Sequence, residues 1–344
     1  MIVVYSDRHG VDHPTDRSVP EYGRGFPELP DRIEIMKAAL EEAGHTDFRP
    51  PADFGMKPIE AVHDAGLLEH LKSGYTLSRS GPKDEHPYIA HTFAVRGRRS
   101  GLDDHPAAFG SWAFDTSCPL FARTYEASIT ASHGALTAAD LALQTRGTTY
   151  ALIRPPGHHS GRDFYGGFCY LNHAAVAANF LREKTGGRVA TIDFDYHHGN
   201  GTQEIFYADG NVLTCSLHAD PKEDYPFYWG AANETGEGEG KGCNLNVPLP
   251  LGTKDADYLK AIDGVLERVR EFDPQTLVVS AGFDLMSGDP VPRDGGFKIT
   301  IPGLQKICSR IAELGRPTVI VQEGGYNMRR LGEFSVAMIN AFSR

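Results

Sequence analysis

Short runs rich in β-branched and apolar residues recur along the chain: Ile2 to Tyr5, Tyr150 to Ile153, Val189 to Asp193, Val212 to Ser216, Thr276 to Ser280 and Thr318 to Val321. Between them, apolar residues fall at helical spacing in stretches such as Ala174 to Leu181, Tyr258 to Val269 and Leu304 to Leu314. This alternation predicts βαβ units, and so an α/β fold: a mainly parallel sheet with helices covering both faces. No internal repeat or Ser/Gly linker divides the 344 residues, so one domain over 1–344 is expected. Two stretches break the rhythm. Tyr75 to Leu120 carries many Gly, Pro, His and Arg residues, and Asp220 to Gly242 is rich in Gly, Glu and aromatics. Loops this long in a compact domain are usually functional, and residues 75–120 read as an insertion at a pocket rim or a subunit interface.

Charge and cysteine usage narrow the partners. Lys plus Arg number 34 against 45 Asp plus Glu, a formal charge of -11, which argues against nucleic acid or an anionic membrane as partner. A cationic small molecule would suit that balance, although mild acidity also serves solubility alone. Five cysteines (Cys118, Cys169, Cys215, Cys243, Cys308) occur without C-x-x-C spacing, so neither a disulfide framework nor a thiolate zinc site is indicated. The start, Met1 to Arg8, lacks a charged segment leading into a long apolar run, and no apolar stretch approaches membrane-spanning length. A reducing, cytoplasmic location is expected.

The polar clusters fall just after predicted strands, where open α/β sheets place their ligands. After Val189 to Ile192 comes Asp193-Phe194-Asp195-Tyr196-His197-His198-Gly199-Asn200-Gly201-Thr202. Alternate residues on an extended segment point the same way, so Asp195 and His197 can offer an oxygen and a nitrogen to one borderline divalent ion such as zinc. Asp284, ending Ser280-Ala281-Gly282-Phe283-Asp284, supplies a third ligand in the equivalent place. Three protein ligands leave coordination positions for water and a substrate carbonyl. Any one of these residues could be a turn-capping Asp or a hydrogen-bonded His; the combination makes that improbable.

The segment Arg154-Pro155-Pro156-Gly157-His158-His159 follows another strand. Adjacent imidazoles beside a metal can divide acid and base work, each tautomer fixed by an outer acceptor, for which Asp193 and Asn200 are the candidates. Finally, Gln322-Glu323-Gly324-Gly325-Tyr326 follows the last strand. Its paired glycines allow close backbone approach and leave the Tyr326 hydroxyl to donate to a developing oxyanion.

These motifs, with Phe26 to Arg32, Val62-His63-Asp64 and Gly166 to Asn172, together resemble the histone deacetylase family, and within it the bacterial acetylpolyamine amidohydrolase branch. The resemblance implies an arginase/deacetylase-like fold and zinc on Asp195, His197 and Asp284, with Fe2+ or Co2+ also compatible with the ligands. It further implies His159 as general base and acid, His158 as its electrostatic partner and Tyr326 polarising the acetyl carbonyl. Phe168 and Tyr225 would wall a tunnel, with the Gly167 backbone accepting a hydrogen bond from the substrate amide. A structural potassium ion would lie near Asp193, Asp195, His197, Ser216 and Leu217. Asn200 stands where some relatives carry Asp, and Tyr225 where many carry Phe. Asp104 and Asp115 look like counterparts of that branch's acidic residues at the tunnel mouth, shortened from Glu, and the branch implies a homodimer.

The expected activity is therefore deacetylation of acetylated polyamines. Within the same chemistry, the alternatives are acetyl-lysine in proteins, or another small acetamide or aryl amide. An arginase-like ureohydrolase would use two metals and more Asp ligands, against which His158-His159 and Tyr326 speak. A catalytically silent scaffold would have lost one of these groups, and none is lost.

Overall fold

The computed structural model describes residues 1–15, 25–78, 86–95 and 110–343; Asp103 and Asp104 lie outside the described residues. The strands are β1 (Ile2–Tyr5), β2 (Phe48–Arg49), β3 (Thr148–Leu152), β4 (Val189–Asp193), β5 (Val212–Ala219), β6 (Asn244–Leu249), β7 (Thr276–Ala281) and β8 (Thr318–Gln322). They form one sheet in the order β2-β1-β3-β8-β7-β4-β5-β6, every pairing parallel. The central strands are continuous apolar runs because both faces are covered. In β7, Leu277 and Val279 pack into one buried cluster and Val278 into the other, as the two-residue side-chain period requires.

The helices are α1 (His9–Asp12), α2 (Asp31–Glu42), α3 (Lys57–Glu60), α4 (Ala65–Ser78), α5 (Thr124–Thr145), α6 (His173–Thr185), α7 (Asn200–Phe206), α8 (Asp255–Phe272), α9 (Ile301–Ala312) and α10 (Leu331–Phe342). One sheet face takes α2, α8, α9 and α10; the other takes α4, α5 and α6. On α6, Asn172 caps the N-terminus by accepting from Ala175 N, and Gly186 closes the C-terminus with φ 62°. None of the helices among the described residues is long and apolar enough to cross a membrane.

Six of the strands lie where the apolar runs place them, extended or shifted by a few residues. The other two are edge strands with no such run. β2 has two residues, and β6 is Asn-Leu-Asn-Val-Pro-Leu, a sequence whose proline is tolerated only because one side of an edge strand goes unpaired.

The order matters for the site. β3, β8, β7 and β4 are consecutive neighbours, and their registers (Ala151 with Val321, Ser280 with Val321, Asp193 with Ser280) bring their C-terminal ends level. The loops that follow, carrying His158-His159, Tyr326, Asp284 and Asp195-His197, emerge side by side.

Candidate active site

Asp195 and His197 lie in a bend just past β4, and Asp284 just past β7, so the alternate-residue geometry expected of an extended strand is produced instead by hydrogen bonds. Asp195 Oδ1 accepts from His197 N (2.9 Å) and its Oδ2 from Gly324 N (2.9 Å); Asp284 Oδ1 accepts from Tyr196 N (2.9 Å). His197 Nδ1 stands 3.3 Å from Asp195 Oδ1 and 3.0 Å from Asp284 Oδ2. All three residues are buried, and each offers a ligand atom within 4.8 Å of the others. Two buried carboxylates converging with one imidazole make an anionic oxygen/nitrogen set, which fits a divalent cation.

Glycine makes that convergence possible. A Cβ on Gly324 would meet Asp284 Oδ2 at 2.6 Å and Asp195 Oδ2 at 2.7 Å, and one on Gly282 would collide with the Asp195 carboxylate. Gly282→Ala should therefore displace Asp195 and weaken divalent-metal affinity at least tenfold, measured by competition with a chromogenic chelator. Unchanged affinity would remove Asp195 from the ligand set.

The tandem histidines have unlike partners. His158 Nδ1 lies 2.9 Å from Asp193 Oδ2, and His159 Nδ1 lies 2.7 Å from Asn200 Oδ1. Their rings are 4.0 Å apart. Burial works against a charge on His158, but Asp195 and Asp193 outweigh it and push its pKa up to about 10. Burial, reinforced by the neighbouring His158 and His197, holds His159 well below the usual imidazole range. Environment thus separates a cationic imidazole from a neutral one.

Tyr326 lies beyond β8, 6% exposed, with its N–H donating to Asp289 Oδ2 (2.6 Å) and the Arg32 guanidinium 4.7 Å from its ring centroid. Burial raises its pKa well above the ordinary phenol value, so at neutral pH it is a donor. Phe168 packs edge-on against it at 5.7 Å. Gly166 and Cys169 pair across a tight turn whose central residues, Gly167 (φ 58°) and Phe168 (φ 67°), both have positive φ, as in a type I′ turn. Holding a phenylalanine there costs about 1–2 kcal/mol and keeps its ring in the wall. Tyr225 forms another part of the wall, edge-on to His159 at 5.0 Å.

The catalytic candidates, the ligand set, Gly167, Phe168, Tyr225 and Asp115 line one cavity of about 320 Å³. Asp193, Asn200, Ser216 and Leu217 lie behind it, buried. Asp193 and Ser216 are register partners on β4 and β5, and the Ser216 hydroxyl sits 2.8 Å from His218 Nδ1. Asp115 is differently engaged from a free rim acid: its Oδ2 accepts from Gly167 N (2.9 Å) and the Tyr225 hydroxyl (2.8 Å), its Oδ1 from Ser117 N (2.9 Å) and Ser117 Oγ (2.7 Å).

Sequence reasoning did not single out Asp224, Phe227, Val291 or Arg293, which also line the cavity. Nor did it give a role to Glu28, whose carboxylate bridges Arg154 (2.6 and 2.8 Å) and Arg32 (3.0 Å) behind the site. The quoted motifs contained both Glu28 and Arg154. Nothing in their spacing tells that they meet.

A histone deacetylase domain matches residues 26–342, and the chain belongs to that family. It is 36% identical to acetylpolyamine amidohydrolase 1 of Pseudomonas aeruginosa over 99% of both chains. It is 40% identical to the acetylpolyamine amidohydrolase of Burkholderia pseudomallei over 96% of this chain and 95% of that one. The crystal structure of an acetylpolyamine aminohydrolase from Burkholderia pseudomallei superposes with a TM-score of 0.92 at 37% identity, covering 100% of this chain and 98% of the other. The protein is thus an amide-hydrolysing deacetylase with an arginase/deacetylase-like fold, and the family implies a divalent metal.

Proposed function

We propose that this protein removes the acetyl group from acetylated polyamines, using zinc held by Asp195, His197 and Asp284. The observation that carries the chemistry is the single cavity in which that ligand set, two imidazoles with unlike partners and the Tyr326 hydroxyl face one another. When bound, a divalent ion there supplies Lewis-acid polarisation and makes water more acidic. His159, with Nδ1–H given to Asn200 Oδ1, keeps the Nε2 lone pair to take a proton from the attacking water, and later returns that proton to the leaving amine. His158, ion-paired with Asp193, holds positive charge beside the developing anion. Tyr326 donates a hydrogen bond from its hydroxyl to the acetyl oxygen as charge accumulates. The Gly167 carbonyl orients the substrate N–H between the rings of Phe168 and Tyr225. A monovalent cation such as potassium beside Asp193 and Ser216, and a homodimeric assembly, belong to the same reading.

The substrate class rests on the relatives' named activity and on the charge of the wall. Asp115 has no ion-pair partner among the described residues, whereas Arg293, the one Lys or Arg among the described lining residues, is 3.7 Å from Asp224 and stacked on Phe227. Because four donors already occupy Asp115, it favours a cationic chain by its field rather than by contact. Asp115→Asn removes the charge but sets an amide nitrogen against a backbone donor, Gly167 N–H or Ser117 N–H, so both substrates should lose turnover, with kcat/KM for N-acetylputrescine falling about tenfold further than for neutral N-butylacetamide. Equal losses on both would mean that Asp115 only shapes the wall. The activity itself is tested by stripping the protein with a chelator and adding back zinc: amine release from N-acetylputrescine should return in step with one ion per chain. Activity untouched by stripping would refute the assignment.

A further inference from the structure

The side chain of Glu323 takes no part in the chemistry above, yet it is fully buried in the middle of it. It follows β8 immediately, and its neighbour β3 leads into the His158-His159 turn. Its carboxylate crosses between the two: Oε2 accepts from Gly157 N at 2.7 Å and from His158 N at 3.1 Å. Its own backbone is fixed, the N–H donating to Ala281 O (3.0 Å) and the carbonyl accepting from Arg32 Nη2 (2.7 Å) and Gln322 Nε2 (3.1 Å). The turn that it grips has little slack, since a Cβ on Gly157 would meet His173 N at 2.7 Å and Leu171 O at 2.8 Å.

The other oxygen, Oε1, is buried with no partner among the described residues. The cluster that Glu323 forms with His158 and Cys169 does not make a second metal site, because burial keeps the Cys169 thiol protonated and it donates to Gly167 O.

We propose that Glu323 is a positioning residue: by binding the two backbone N–H groups it ties the His158-His159 turn to the Tyr326 loop, so that proton shuttle and hydroxyl donor keep one separation. This rests on the roles given above to His159 and Tyr326. Reach, not charge, is then what matters. Glu323→Gln keeps an acceptor oxygen at the same length, whereas Glu323→Asp keeps the carboxylate but withdraws it by one methylene.

The test compares kcat, KM, metal content and the downfield proton NMR signal of the His158 Nδ1–H bonded to Asp193 in both variants. Gln should stay within about threefold of the parent kcat with that signal in place. Asp should lose about tenfold to hundredfold in kcat, with KM within about twofold, metal still bound and the signal shifted or broadened. An Asp variant as active as the Gln variant or better, or an unmoved signal in Asp, would overturn the proposal. The NMR signal reads the tie even if the protein proved inactive on acetylpolyamines, which separates this failure from failure of the functional reading.

Discussion

Tyr326→Phe should lower kcat by about 10²–10³-fold while metal content, KM and melting temperature stay close to those of the parent. The ring contacts survive the change, because Phe168 and the Arg32 guanidinium pack against the ring and not the hydroxyl. The backbone bond to Asp289 survives as well. Only the hydroxyl is removed, so the loss falls on an interaction that strengthens as charge develops on the acetyl oxygen. Steady-state kinetics with metal analysis checks it. A kcat within about threefold of the parent would withdraw the oxyanion role from Tyr326, and a large rise in KM would make it a binding residue.

Glu28→Gln should destabilise the fold by about 3–5 kcal/mol at neutral pH. Glu28 is 1% exposed between two arginines that are 0% and 1% exposed. Arg154 also holds the backbone of His9 and His13, and Arg32 that of Glu323 and Gly325. Removing the shared carboxylate leaves two guanidinium charges buried without their counter-ion. Burial alone would raise the Glu28 pKa, but Arg154 and Arg32 outweigh it and hold it at about 2 against an ordinary 4.5. The unfolded chain therefore binds the proton first as pH falls, so the stabilisation is complete above 4.5 and drains away toward 2. That loss amounts to about 3 kcal/mol by linkage. In urea unfolding followed against pH, the gap between parent and variant should be widest above 4.5 and shrink toward 2. A gap independent of pH would mean that Glu28 acts by shape alone.

What could be read in advance followed from local chemistry. Val189 to Asp193 and Thr276 to Ala281 are buried on both faces and announce themselves as apolar runs, whereas β6, with Asn244, Asn246 and Pro248, does not. The proposed ligand residues stood out because each carboxylate or imidazole followed such a run. The allocation of Asp193 to His158 and Asn200 to His159 was not legible, since either acceptor could serve either ring. Asp115 could be read as a charge, but not as a carboxylate shared by Gly167, Ser117 and Tyr225, because its bond to Tyr225 spans 110 residues. Glu28 and Arg154 meet across 126 residues, and Arg32 and Gly325 across 293. Contacts of that kind are created by the parallel sheet that sets strand ends from distant parts of the chain beside one another.

The most direct test is kcat/KM for amine release by the zinc-loaded protein on a matched set: N-acetylputrescine, N-acetylcadaverine, acetylspermidine, an acetyl-lysine peptide and a neutral aryl acetamide. The account predicts clear preference for the three acetylated polyamines, with all turnover abolished by chelation. Preference for the peptide or the aryl amide would keep the hydrolytic machinery and contradict the assigned substrate, and no turnover of any of the five would contradict the activity itself.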